Sequence, residues 1–110
     1  MKFERYELYL GLNDKDSKRQ EIPTEAAQAL VQSEVAKRFD GGTIYATNGV
    51  YKHEDGTVVT ERTIKMEITF YDGEPADNNK RIRDFCDWLK LVFRQESVSV
   101  CKQVIESELY

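Results

Sequence analysis

The chain contains few of the side chains that build metal centres and covalent catalytic sites. Its 110 residues include one histidine and two cysteines. The lone His53 excludes a metal site made of several imidazoles, and we expect it to be a surface residue beside a turn rather than a general base. Cys86 and Cys101 are too few for a disulfide framework, so we expect two free thiols. We predict no catalytic residue, no metal and no cofactor from these residue types.

Long apolar runs and an excess of basic residues are also absent. No stretch approaches the roughly 20 apolar residues that span a bilayer, and the first five residues begin a strand-like pattern rather than a signal peptide. We therefore expect a cytoplasmic protein without a membrane partner. A net charge of −4 disfavours nucleic acid as a partner, because the phosphate backbone is bound mainly by lysine and arginine.

The composition is that of a soluble globular protein, with 40% hydrophobic and 33% charged residues. This balance is too apolar for a disordered chain and too charged for a fibrous one. A chain of this length fits one domain, which we expect to span residues 1–110.

The first half of the sequence predicts a strand, a helix and a second strand. Apolar residues alternate over 6–12, which indicates a half-buried strand. The polar segment 13–20 predicts a long solvated loop. Pro23 suits the first turn of a helix that we place over 23–39, where apolar residues recur every three or four positions. Residues 43–53 predict a strand with a bulge at Asn48-Gly49.

The second half repeats this order. Asp55-Gly56 predicts a hairpin turn that leads into the clearest alternation in the chain, over 58–70. A second helix follows, with Asp77 or Asn78 as its N-cap and an apolar stripe that ends at Phe93. Residues 97–105 alternate again and predict a fourth strand.

Two strand-helix-strand units in tandem predict an α+β protein with the ferredoxin-like β-α-β-β-α-β sandwich. In this fold one antiparallel four-stranded sheet has both helices on one face. The other face is left uncovered.

Tyrosines and charged residues are predicted on the uncovered sheet face. The candidate ligand-binding residues there are Tyr9, Tyr45, Tyr51, Glu61, Lys65 and Glu67. Buried charges need partners, which Lys65 and the carboxylates beside it can supply to one another or to an anionic ligand. The face is therefore predicted to pair with a second copy of itself, sheet to sheet, and to hold a small polar or anionic ligand.

Several local segments resemble an uncharacterised bacterial family of small domains of unknown function. They are Glu7-Leu8-Tyr9-Leu10-Gly11-Leu12, Gly49-Val50-Tyr51 followed by Asp55-Gly56, Glu61-Arg62 and Lys65, and Phe93-Arg94-Gln95-Glu96-Ser97-Val98. The resemblance implies no activity, but it draws attention to Glu61 and to the segment after the second helix. Arg94 and Gln95 join the ligand-binding candidates on this basis.

The sequence by itself favours a small non-enzymatic interaction module that forms a homodimer through the open sheet face. One alternative is a phage-type protein that sequesters a nucleotide signal or blocks a host protein. The other is an enzyme of the dimeric α+β-barrel kind that uses sheet-face carboxylates, with Glu61 or Glu67 as base and Tyr9 as hydrogen-bond donor.

Overall fold

Six elements follow one another in the predicted order in a computed structural model that describes residues 2–110. They are β1 (Lys2–Gly11), α1 (Thr24–Arg38), β2 (Thr43–Lys52), β3 (Val58–Phe70), α2 (Pro75–Phe93) and β4 (Ser99–Glu106). The strands form one antiparallel sheet in the order β2-β3-β1-β4. The predicted ferredoxin-like sandwich is therefore confirmed.

One hydrophobic core lies between the sheet and the two helices. The inward positions of β1 and β3 alternate as their sequences predict, and the helices contribute apolar stripes at helical spacing. The fully buried side chains include Tyr6, Leu8, Leu10, Ile64, Met66, Ile68, Ile82, Phe85 and Leu89. This packing fixes which face of each strand remains outside.

The outer strand β2 is regular and has no bulge at Asn48-Gly49, so that prediction is wrong. Gly49 pairs with Glu61 in the same register that joins Thr43 to Glu67. A Cβ on Gly49 would lie 2.8 Å from the Thr63 hydroxyl, so glycine here leaves room for a neighbouring side chain. Asn48 accepts a hydrogen bond from Arg62 at 2.9 Å, which secures the pairing on the other face.

The second helix begins earlier than predicted, because Pro75 occupies its first turn and Glu74 precedes it without a side-chain cap. Asp77 and Asn78 therefore lie inside the helix. The buried Asn78 amide donates instead to Glu4 at 3.4 Å and to the carbonyl of Asp72 at 3.3 Å, which fastens the helix start to β1.

The two cysteines are free thiols, with Cys86 buried and Cys101 exposed. Burial raises the pKa of Cys86 to about 11, so this thiol is inert packing. Among residues 2–110, no helix combines the length and the apolar character needed to cross a membrane.

Candidate functional site

The middle of the open sheet face carries a lysine between two tyrosine rings. Tyr45, Lys65 and Tyr9 occupy one row across β2, β3 and β1. The Lys65 Nζ lies 5.6 Å from the centroid of each ring and 3.4 Å from Glu67 Oε1. Desolvation alone would lower the pKa of Lys65, but its interactions with Tyr9, Glu7 and Glu67 outweigh that effect and raise the pKa.

The next row holds two carboxylates that face one another in register, Glu7 and Glu67. The Tyr45 hydroxyl donates to Glu67 at 3.3 Å, and the Tyr9 hydroxyl donates to Glu7 at 3.2 Å. Gln103 of β4 donates to the other oxygen of Glu7 at 3.0 Å. The polar groups of this cluster are thus partnered within the chain.

A separate cleft of about 610 Å³ opens at one end of the same face. It lies where β1 and β2 end, where β3 begins, and where α2 is connected to β4. Its lining consists of Asn13, Asp14, Lys15, Lys18, Tyr51, His53, Val59, Glu61, Gln95, Glu96 and Ser97. The segment that follows the second helix and the candidate Glu61 therefore meet in one place.

The Glu61 carboxylate is held over a glycine at the end of β1. Its Oε2 accepts a hydrogen bond from the backbone N–H of Asn13 at 2.9 Å. A Cβ on Gly11 would lie 2.5 Å from Glu61 Oε1, closer than real contacts allow. Only glycine at position 11 leaves this space. The position of the Glu61 carboxylate therefore depends on both Gly11 and the Asn13 N–H.

The connection from α2 to β4 starts with a left-handed residue. Arg94 has φ 52° and ψ 56°, which is uncommon for a residue other than glycine and ends the helix. The next residue, Gln95, donates its side-chain amide to the Asn13 carbonyl at 2.6 Å and to the Phe93 carbonyl at 3.2 Å.

The segment 13–20 is exposed over residues 15–19, as its polarity predicts, but it is anchored by a buried carboxylate. Asp14 is only 6% exposed, and its Oδ1 accepts the backbone N–H groups of Asp16 at 2.7 Å and Ser17 at 3.1 Å. Its Oδ2 lies 2.9 Å from Arg94 Nε. The two backbone N–H groups, with the nearby guanidinium, lower the pKa of Asp14. Local capping and a distant arginine therefore order this loop.

The structure divides the predicted site residues into two groups. Tyr51, Glu61 and Gln95 come together in the cleft, whereas Tyr9, Tyr45, Lys65 and Glu67 form the tyrosine–lysine cluster. Glu67 lies six positions after Glu61 in β3, which is about 20 Å along an extended strand. Arg94 faces Asp14 and Asp16 rather than the cleft.

Sequence reasoning missed the contributions of Asn13, Lys15, Lys18 and His53 to the cleft. His53 follows directly on β2, two positions after Tyr51, so its place beside the candidate tyrosine was available from the strand pattern. The loop residues gave no such signal, because their positions depend on Arg94, which is 80 positions beyond Asp14 in the sequence. Among residues 2–110, no group of three or more metal-ligating side chains converges.

Residues 5–108 match a family described as a protein of unknown function, DUF3574. The chain belongs to this family. The resemblance that the sequence segments indicated is thus confirmed, and DUF3574 covers both the cleft and the tyrosine–lysine cluster. No curated protein matches the chain.

Two solved structures share the fold of this DUF3574 chain. A phage SAM lyase in complex with S-methyl-5'-thioadenosine superposes with a TM-score of 0.71 at 22% identity, covering 98% of this chain and 92% of that one. A phage SAM lyase in the apo state gives a TM-score of 0.70 at 24% identity, covering 97% and 91%.

These likenesses correct the functional prediction from sequence. A non-enzymatic module was favoured, but both structures that match over nearly the whole chain are of an enzyme. The enzyme alternative is the better supported reading. The reason for the error is that no catalytic motif is visible along the sequence, since the cleft is assembled from four separate segments.

Proposed function

We propose that this protein is a lyase that binds a sulfonium nucleoside of the S-adenosylmethionine class in the cleft. The observation that carries the proposal is the convergence of Tyr51, Glu61 and Gln95 in one cleft, within the fold of two phage SAM lyase structures. Because one fold serves many activities, the chemistry of the cleft carries the assignment.

The aromatic and acidic side chains of the cleft suit a cationic sulfur. The Tyr51 side chain is 46% exposed and offers a ring face, and a cation over such a face is attracted by its quadrupole. The Glu61 carboxylate already accepts one backbone hydrogen bond and keeps a second oxygen for a cation. Opposite charges a few ångströms apart attract strongly where water is partly excluded.

Two lysines also line the cleft, together with the acidic side chains of Asp14 and Glu96. Lys15 and Lys18 come from the ordered 13–20 loop, and Glu61 comes from β3. S-adenosylmethionine has a cationic sulfur and an α-carboxylate on the same side chain. In the proposed pose the sulfur lies toward Glu61 and the carboxylate toward the lysines.

The proposed cleavage uses no water. The bond between sulfur and the γ-carbon of the amino-acid chain breaks, and its electron pair remains on sulfur. The sulfonium becomes the neutral thioether S-methyl-5'-thioadenosine. The carbon fragment closes on its own carboxylate, since one carboxylate oxygen bonds to the γ-carbon as the bond to sulfur breaks, which gives a lactone and releases no proton. Because the product has lost the sulfonium charge, Glu61 holds it less strongly than the substrate, which favours release.

The test is to incubate the purified protein with S-adenosylmethionine and to quantify S-methyl-5'-thioadenosine by chromatography and mass spectrometry. We expect Glu61→Gln to lower kcat/KM at least tenfold, because it removes the charge and keeps the shape. Glu67→Gln is the matched control, on the same strand and face but about 20 Å away. A protein-free incubation corrects for spontaneous decay. Wild type that does not cleave the substrate would refute the proposal.

We further propose that the open sheet face joins two copies of the protein and that the protein works in the cytoplasm. Tyr45 is 42% exposed on that face and lies outside the cleft, which supports a contact surface. S-adenosylmethionine is an intracellular metabolite, which supports the location. Native mass spectrometry at micromolar concentration tests the self-association, and a monomer at all concentrations would contradict it.

A further inference from the structure

The Glu61 carboxylate is connected to Arg94 through the backbone of Asn13, although neither side chain touches the other. The N–H of Asn13 donates to Glu61 at 2.9 Å. The carbonyl of the same residue accepts from the Gln95 side chain at 2.6 Å. Asn13 is thus held on one side by the cleft carboxylate and on the other by the connection between α2 and β4.

Arg94 fixes this connection through both its backbone and its side chain. Its carbonyl accepts from the Lys15 N–H at 3.0 Å. Its guanidinium contacts Asp14, with Nε 2.9 Å from Oδ2, and also Asp16. These contacts hold a left-handed backbone that a non-glycine residue adopts only at a conformational cost.

The surroundings of Asp14 orient its carboxylate toward that guanidinium. Its carboxylate is nearly buried, and two backbone N–H groups from Asp16 and Ser17 occupy Oδ1, which leaves Oδ2 to Arg94. Charge-assisted hydrogen bonds of this kind are stronger and better oriented than those between neutral groups. The matching effect on the arginine is a raised pKa, caused by Asp16 and Asp14.

We propose that Arg94 is a positioning residue that sets the place of the Glu61 carboxylate through Asp14 and the Asn13 backbone. This inference rests on the proposed role of Glu61 in the cleft. It reassigns Arg94, which the sequence suggested as a ligand-binding residue, to a structural support behind the site. Its removal moves the carboxylate, and displacements of about 1 Å in an active site lower rates by up to about a hundredfold.

Arg94→Gly is the most informative variant, because glycine favours the left-handed conformation. A loss of function in this variant therefore reports the missing guanidinium and not a strained backbone. The control is Arg19→Ala in the 13–20 loop, which removes a guanidinium that pairs with the exposed Glu21 at 3.4 Å and adds no glycine to the turn.

The first readout is the Asn13 amide by nuclear magnetic resonance, which needs no substrate. Its proton shift and hydrogen exchange report the bond to Glu61, and Glu61→Ala gives the reference values for a lost bond. We expect Arg94→Gly to move the Asn13 amide toward the Glu61→Ala values, and Arg19→Ala to leave it as in wild type. An unchanged Asn13 amide in Arg94→Gly would overturn the inference, whatever the enzyme acts on.

The second readout is kinetic and separates positioning from general damage to the fold. We expect Arg94→Gly to lower kcat ten- to a hundredfold with a smaller change in KM. In the Glu61→Gln background the same change should have a clearly smaller effect, because Arg94 acts in part through that carboxylate. An undiminished loss in the double variant would overturn the inference. Absent turnover in wild type would refute the proposed function and leave the resonance test to decide this one.

Discussion

At the scale of single residues, the cleft depends on an absent side chain as much as on those present. Gly11 ends β1 with an ordinary backbone conformation, so its flexibility is not needed there. What matters is the space above it, which the Glu61 carboxylate fills. The glycine in the segment 7–12, which resembles the family, thus has a physical explanation that strand periodicity alone does not provide.

Gly11→Ala is therefore expected to impair the cleft without unfolding the protein. The new Cβ would lie 2.5 Å from Glu61 Oε1, and the carboxylate moves aside because it ends a flexible side chain. We expect product formation to fall at least tenfold while the free energy of unfolding changes by less than about 1 kcal/mol.

Gly41→Ala is the matched control, since nothing lies within 4 Å of its added Cβ. Enzyme assays and urea unfolding of both variants check the prediction. Equal activity of the two variants would show that the space above Gly11 is not used by Glu61.

At the scale of elements, α2 carries a buried and an exposed leucine only two positions apart. Leu89 is fully buried against the sheet, whereas Leu91 is 79% exposed on the opposite side of the helix. The helix also delivers Arg94 to the 13–16 turn at its C-terminal end. The packing of α2 therefore determines the position of Arg94 and of the 13–16 turn behind the cleft.

Leu89→Ala is expected to lower the free energy of unfolding by about 2–5 kcal/mol, through lost burial and the cavity left behind. Leu91→Ala should change it by no more than about 0.5 kcal/mol. Urea denaturation monitored through Trp88 measures both, because this tryptophan packs beside Phe85 and Phe93. Similar losses in the two variants would contradict the assigned helix orientation.

At the scale of the whole molecule, three carboxylates couple folding to pH from separate places. The pKa of Glu4 is lowered chiefly by Lys102, that of Asp55 by the Thr57 N–H, and that of Asp14 by the N–H groups of Asp16 and Ser17. A carboxyl whose pKa is lower in the folded state stabilises the protein at every pH above its pKa in the unfolded state. That stabilisation is lost as the pH falls through its pKa in the folded state.

We expect the free energy of unfolding to decrease on acidification below about pH 4. Asp14→Asn removes one contribution, so its deficit relative to wild type should be large at neutral pH and should shrink as pH falls well below the ordinary Asp value of 3.8. Urea unfolding across this range measures the deficit. A deficit that stays constant with pH would show that the charge on Asp14 does not stabilise the fold.

Local periodicity was sufficient to predict most of the fold. Alternation over Ile64–Phe70 and helical spacing over Ile82–Phe93 each assign a buried face without reference to the rest of the chain. The unbulged register of β2 was not predictable, because Asn48-Gly49 carries a turn-like local preference that pairing with Glu61 and Arg62 overrides. The N-terminus of α2 was misplaced for a related reason, since Asn78 is used by Glu4 rather than as a cap.

The sequence by itself determined the sandwich and the residues that face outward, since side-chain period follows directly from strand and helix geometry. It placed Glu61 and Glu67 on one face, but it could not tell that they belong to different clusters. Only the tertiary structure decided that, by bringing Asn13 to Glu61, Gln95 to Asn13 and Tyr45 to Glu67. The physical reason is that a hydrogen bond between residues 48 or 82 positions apart depends on chain packing, which local sequence does not encode.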